Sequence, residues 1–171
     1  MKKIAVFGKP GGGKSTLSKK LALSTGIKLY PLDSIEYQKN GKKVDSDTYE
    51  NAHKRILSED NWIIDGLGGI ESFYIRLQTA DTLIYIDLPY IVHYWWVTKR
   101  FFKGLFKTPQ GWPDSCSITK GTIQSYKVLK ICPNFWNDKL LERIEKLADG
   151  KLFYHIKSVS ELNHFIESFE H

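Results

Sequence analysis

Gly8-Lys9-Pro10-Gly11-Gly12-Gly13-Lys14-Ser15 is the stretch that decides the fold. It matches the pattern GxxxxGK(S/T), follows a β-branched run at Lys3–Phe7, and opens a helical pattern at about Lys14–Ser24. Phosphate oxygens need several donors converging from one side with no side chain in the way. Glycines let successive backbone N–H groups turn inward, and the helix N-terminus adds partial positive charge. Gly8, Gly11, Gly12 and Gly13 are therefore read as the cradle, and Lys14 as the group that reaches the β and γ phosphates. Ser15 is read as a Mg²⁺ ligand and Thr16 as an α-phosphate contact. ATP with Mg²⁺ is the expected ligand pair.

Outward from this loop the pattern alternates. Strand signals fall at Lys3–Phe7, Lys28–Tyr30, Trp62–Asp65, Thr82–Asp87 and Leu152–Ile156. Helical signals fall at about 14–24, 47–58, 70–78, 90–106, 118–130, 138–148 and 160–169. The first, third and fourth strands are near-continuous apolar runs, as in a parallel sheet covered on both faces. Such alternation predicts a doubly wound α/β sandwich, with its ligand crevice beyond the carboxyl ends of the strands.

Three carboxylates stand at those ends. Asp33 follows the second strand, Asp65 ends the third and Asp87 ends the fourth. One carboxylate can hold Mg²⁺ and another can accept the proton of an attacking hydroxyl. Asp65 and Asp87 are read with Ser15 as metal candidates, and Asp33 and Asp65 as acceptor-facing. Asp65-Gly66-Leu67-Gly68 also satisfies DxxG, but no NKxD follows to read guanine, so a GTPase is set aside.

The chain has 171 residues, 42% hydrophobic and 26% charged, which suits one folded domain spanning 1–171. Its two cysteines, Cys116 and Cys132, lack CxxC spacing, and the histidines lack metal-ligand spacing. The longest charge-free run, Leu88–Thr98, is too short to span a bilayer. The apolar stretch after Lys3 is too short for a signal peptide, so a cytoplasmic location is expected. Net charge is +6. Residues 99–130 hold Lys99, Arg100, Lys103, Lys107, Lys120, Lys127 and Lys130 against Asp114 alone, and the rest of the chain is neutral.

Together GKPGGGKST, YPLDSIEY, WIIDGL, RLQTADTLIYIDLP and the later Lys99-Arg100 pair resemble the bacterial topology modulation proteins, small relatives of adenylate kinase and shikimate kinase. The resemblance covers nearly the whole chain. It implies a five-stranded parallel sheet in the adenylate kinase order 2-3-1-4-5 with a helical lid segment, and transfer of the ATP γ-phosphoryl group to a small hydroxyl or phosphate acceptor. By the same resemblance Arg76 and Arg100 are expected to contact phosphates. The chain departs from the pattern in three places: Gly66-Leu67-Gly68-Gly69 replaces Gly-Asn-Tyr, Tyr90 replaces an arginine, and lysines replace most lid arginines. Lysine supplies charge without the planar bidentate fork.

The 99–130 segment is read as a lid carrying positive charge over bound ATP, with Gly104, Pro109, Gly111 and Pro113 in its loop. In the helix before it, Ile91, Tyr94/Trp95, Thr98 and Phe101/Phe102 recur at helical spacing and are expected in the core, leaving His93 and Trp96 for a partner. The alternative function is a nucleotide-dependent nucleic-acid-binding regulator, with bases on Trp95, Trp96 or Trp112 and phosphates on the lysines. Monomer and dimer are both left open.

Overall fold

The computed structural model describes residues 1–38, 42–106 and 118–169, with side chains omitted at 103–106 and 118–120. The central part of the lid loop, with Lys107, Pro109, Gly111, Trp112 and Pro113, lies outside the described residues. So do the side chains of Lys103 and Lys120.

Five strands form one parallel sheet: β1 (Lys3–Gly8), β2 (Leu29–Pro31), β3 (Trp62–Asp65), β4 (Thr82–Ile86) and β5 (Leu152–Ile156). Their spatial order is β2-β3-β1-β4-β5, as expected. The helices are α1 (Lys14–Thr25), α2 (Asp33–Glu36), α3 (Ser46–Leu57), α4 (Ile70–Thr79), α5 (Tyr90–Phe106), α6 (Ile118–Ile131), α7 (Asp138–Leu147) and α8 (Val159–Glu167). The one-turn α2 was not foreseen. It is too short for a periodic signal.

The alternation of side chains along β1, β3 and β4 builds two cores. Ala5, Phe7, Trp62, Ile64, Leu83 and Tyr85 share one cluster with residues of α3, α4, α6 and α7. Ile4, Val6, Ile63, Ile84 and Ile86 share the other with Leu17 and Leu21 of α1 and Leu162 of α8. A sheet covered on both faces needs apolar residues at every strand position, which explains the continuous runs.

The sequence reading of α5 is corrected. Ile91, Trp95 and Phe102 are 76%, 63% and 57% exposed, whereas His93 and Val97 are buried. The helix is apolar nearly all round, so periodicity alone could not fix its inward face. That face is set by the loop it covers.

Candidate phosphate site and its supports

The Gly8–Ser15 loop connects β1 to α1 at the carboxyl edge of the sheet. Gly8 has φ +144°, and a Cβ there would lie 2.2 Å from the Ile86 carbonyl oxygen. Only glycine fits where the loop leaves the sheet. Gly13 caps α1 at φ +81°, and its carbonyl accepts from Thr16 and Leu17 N–H groups at 3.1 Å each.

Lys14 Nζ donates to the Lys9 carbonyl at 2.7 Å. Burial lowers the Lys14 pKa, and the nearby Asp65 and Asp33 carboxylates oppose that shift. Ser15 and Thr16 are exposed at the start of α1. Ser15 neighbours Asp65, a buried carboxylate whose Oδ1 has no hydrogen-bond partner among the described residues. Burial raises the Asp65 pKa, against the pull of Lys14 and Ser15. A hydroxyl beside an orphaned carboxylate oxygen is a hard-oxygen donor set that suits Mg²⁺.

Asp33 is exposed at the first residue of α2. The Leu32 N–H donates to the Asp65 carbonyl at 2.8 Å, which ties the end of β2 to the end of β3. Asp33 thus shares an electrostatic neighbourhood with Lys14, Asp65 and Arg100. Arg100 also donates from Nη2 to Ser125 Oγ at 3.2 Å. The site therefore brings together Lys14, Ser15, Asp65, Asp33 and Arg100.

Two sequence-derived residues stand elsewhere. Asp87 is paired with Lys9 and accepts from His155 at 3.1 Å. It shares the β4 face of Tyr85, whose neighbour across the ladder is His155. Asp65 instead sits two residues after Ile63, on the α1 face. Alternation thus gives Ser15 one carboxylate partner, and Asp87 is engaged as the counter-ion of Lys9. Arg76, expected at phosphates, is fully buried in α4. Its Nη2 donates to the carbonyls of Gly66 and Leu67 at 2.8 and 3.0 Å, and so it braces the loop after β3. Burial pushes its pKa down to about 10.

The supports beneath the loop were the residues missed. Lys9 is buried, with Nζ near the Leu88 carbonyl at 3.3 Å and over the Tyr90 ring at 4.6 Å. His93 places Nδ1 2.8 Å from the Pro10 carbonyl and Nε2 3.1 Å from the Leu88 carbonyl. Added Cβ atoms at Gly11, Gly12 and Gly13 would meet Val97, His93 and Trp96 at 3.0, 2.9 and 3.1 Å. Trp96 and His93, read as partner contacts, instead back the glycine loop.

No protein-family model matches this chain, and neither does any curated protein. Solved structures do. A shikimate kinase from Acinetobacter baumannii, in complex with shikimate, aligns with 99% of this chain and 92% of its own, at 12% identity and TM-score 0.55. A shikimate kinase from Bacteroides thetaiotaomicron aligns with 98% and 95%, at 16% identity and TM-score 0.51. At such identities the likeness is one of fold, and the fold is that of the P-loop kinases.

Proposed function

We propose that this chain is a kinase-like phosphotransferase that binds Mg·ATP on the Gly8–Thr16 loop and passes the γ-phosphoryl group to a small acceptor. One observation carries the reading: a glycine cradle, a lysine, a Ser15–Asp65 pair and a second exposed carboxylate converge at the ends of β1, β2 and β3. The fold shared with shikimate kinases supports it. The resemblance to topology modulation proteins rests on sequence motifs alone and names no acceptor.

Ser15 and Asp65 would hold Mg²⁺, which would supply positive charge to neutralise the phosphates. Loop N–H groups and Lys14 would stabilise the transferring group. Asp33 is the better-placed base, since it is exposed while Asp65 is buried. The acceptor oxygen would form its bond to the γ phosphorus as the β–γ bridging bond breaks and ADP leaves, with the hydroxyl proton passing to Asp33. Arg100 would meet the charge on the acceptor side.

Lys14→Ala should weaken Mg·ATP binding or turnover at least about a hundredfold, measured by calorimetry and by ATP consumption across a panel of hydroxyl acceptors. Wild-type binding and turnover in that variant would overturn the assignment.

A further inference from the structure

The outer face of α5 is unusual for a helix beside a ligand site. Ile91, Trp95, Lys99 and Phe102 fall at i, i+4, i+8 and i+11, within an arc of about 80° at 100° per residue. The three apolar side chains are more than half exposed, and Lys99 is exposed with them. On α6, Ile123, Lys127, Lys130 and Ile131 repeat the arrangement at i, i+4, i+7 and i+8, with Ile123 and Ile131 50% and 61% exposed. The helices pack along the flank of these faces and behind them: Tyr94 stacks on Tyr126 at 5.8 Å, Thr98 bonds the Tyr126 hydroxyl, and Arg100, on the opposite side of α5, reaches Ser125. Neither helix contains an Asp or Glu.

We propose that the outer faces of α5 and α6 dock this protein on an anionic phospholipid bilayer. The chemistry selects that occupant in three steps. Exposed isoleucines have no π face for a nucleobase, so three of the five apolar side chains would be idle against nucleic acid. A second copy would bring like to like across a two-fold axis, setting Lys99, Lys127 and Lys130 against their own kind with no acid on either helix to pair them. A bilayer interface uses every group. Tryptophan and phenylalanine enter at headgroup depth, isoleucines follow, and lysine stems lie along the apolar surface while their ammonium groups reach lipid phosphate. Lys99, Lys127 and Lys130 are the charges that the two outer faces carry. Because Val97, His93 and Trp96 on the inner side of α5 back the glycine loop, docking would hold the phosphate site at a fixed height above the lipid. The proposal is independent of the phosphotransfer reading.

The test is co-sedimentation of the full chain with vesicles of phosphatidylcholine alone, and with about one-third phosphatidylglycerol, at physiological salt. Three lysines at roughly fivefold each predict partitioning about a hundredfold stronger on the anionic vesicles. Lys99→Gln/Lys127→Gln/Lys130→Gln should erase that difference. Trp95→Ser/Phe102→Ser should lower binding at least about tenfold while leaving thermal unfolding unchanged, since both side chains already face water. Equal sedimentation with and without anionic lipid would overturn the proposal, as would full binding by the Trp95/Phe102 variant. A single-stranded oligonucleotide bound through these residues in place of vesicles would make the face a nucleic-acid surface. A dimer that dissociates on the Trp95/Phe102 change would make it a subunit interface.

Discussion

Asp87→Asn tests whether the glycine loop is held from beneath by an ion pair. The Lys9 side chain is 6% exposed and that of Asp87 25%. Removing the carboxylate charge leaves the ammonium with the Leu88 carbonyl and the Tyr90 ring. Breaking a fully buried pair from one side costs about 3–5 kcal/mol, and the quarter exposure of Asp87 lets water offset part of this, leaving about 2–3 kcal/mol. For a domain of this size that lowers Tm by about 4–12 °C. Burial alone would raise the Asp87 pKa, but hydrogen bonds from Lys9 and His155 outweigh it and hold the carboxyl below its usual value. A depressed carboxylate stabilises the fold fully above its unfolded pKa and loses that contribution as pH falls through the folded value. The difference between wild type and Asp87→Asn should therefore be complete at neutral pH and shrink below about pH 4. Urea and thermal unfolding of Lys9→Met, Asp87→Asn and the double variant close a cycle. The double variant should be about 1 kcal/mol or more better than the sum of the singles. An additive cycle, or a single variant within about 0.5 kcal/mol of wild type, refutes the pair as a support.

Two further outcomes follow from the same geometry. Burial, with a smaller contribution from the Arg76 charge, pushes the His53 pKa down to about 4. The unfolded chain takes the proton first, so stability should fall by about 3 kcal/mol as pH drops from about 6.5 to 4. His53→Phe should flatten that part of the urea-stability profile, and an unchanged slope would show that His53 is not held neutral. Gly12→Ala places a Cβ 2.9 Å from His93 Cε1 and 3.3 Å from the Lys9 carbonyl. It should weaken Mg·ATP binding by about tenfold or more in calorimetry, with circular dichroism unchanged. Wild-type affinity there would mean that His93 does not constrain the loop.

Legibility in the sequence follows how local each determinant is. The strand β1, the glycine loop and α1 are specified within about twenty residues of one another, and the structure places them where the motif puts them. The role of Asp87 depends on which sheet face it shares, a fact that Tyr85 two residues earlier already encodes through alternation. Lys9 falls at a position the motif leaves free, and its partner is 78 residues away. Only the strand order brings the two together. Arg76 is ambiguous in the sequence because an arginine following a glycine-rich turn can serve either phosphates or the turn's own carbonyls. The Gly66 and Leu67 carbonyls, left without strand partners where the chain departs from β3, take it. In α5, aromatic and aliphatic residues surround the axis, and the inward face is chosen by the space the loop glycines leave for Val97, His93 and Trp96.

Under the proposed function, the two lysines of the loop would divide the work that a polyanion site requires. A cradle of N–H groups binds phosphate well only if its backbone is already in place, because reorganisation would consume the interaction energy. Lys9 contributes to that preorganisation: its charge is matched by Asp87, so little of it remains for a ligand. Lys14 is different. Its Nζ rests on the neutral Lys9 carbonyl at 2.7 Å, an acceptor that a phosphate oxygen outcompetes through a charge-assisted bond. Under the proposed function, ligand arrival would exchange a weaker hydrogen bond for a stronger one without opening an ion pair. Exchanging the two roles would reverse this. A Lys14 paired to carboxylate would have to break that pair before meeting phosphate, and an unpaired Lys9 beneath the loop would pull the backbone out of register. The Lys9–Asp87 pair is thus what leaves Lys14 available.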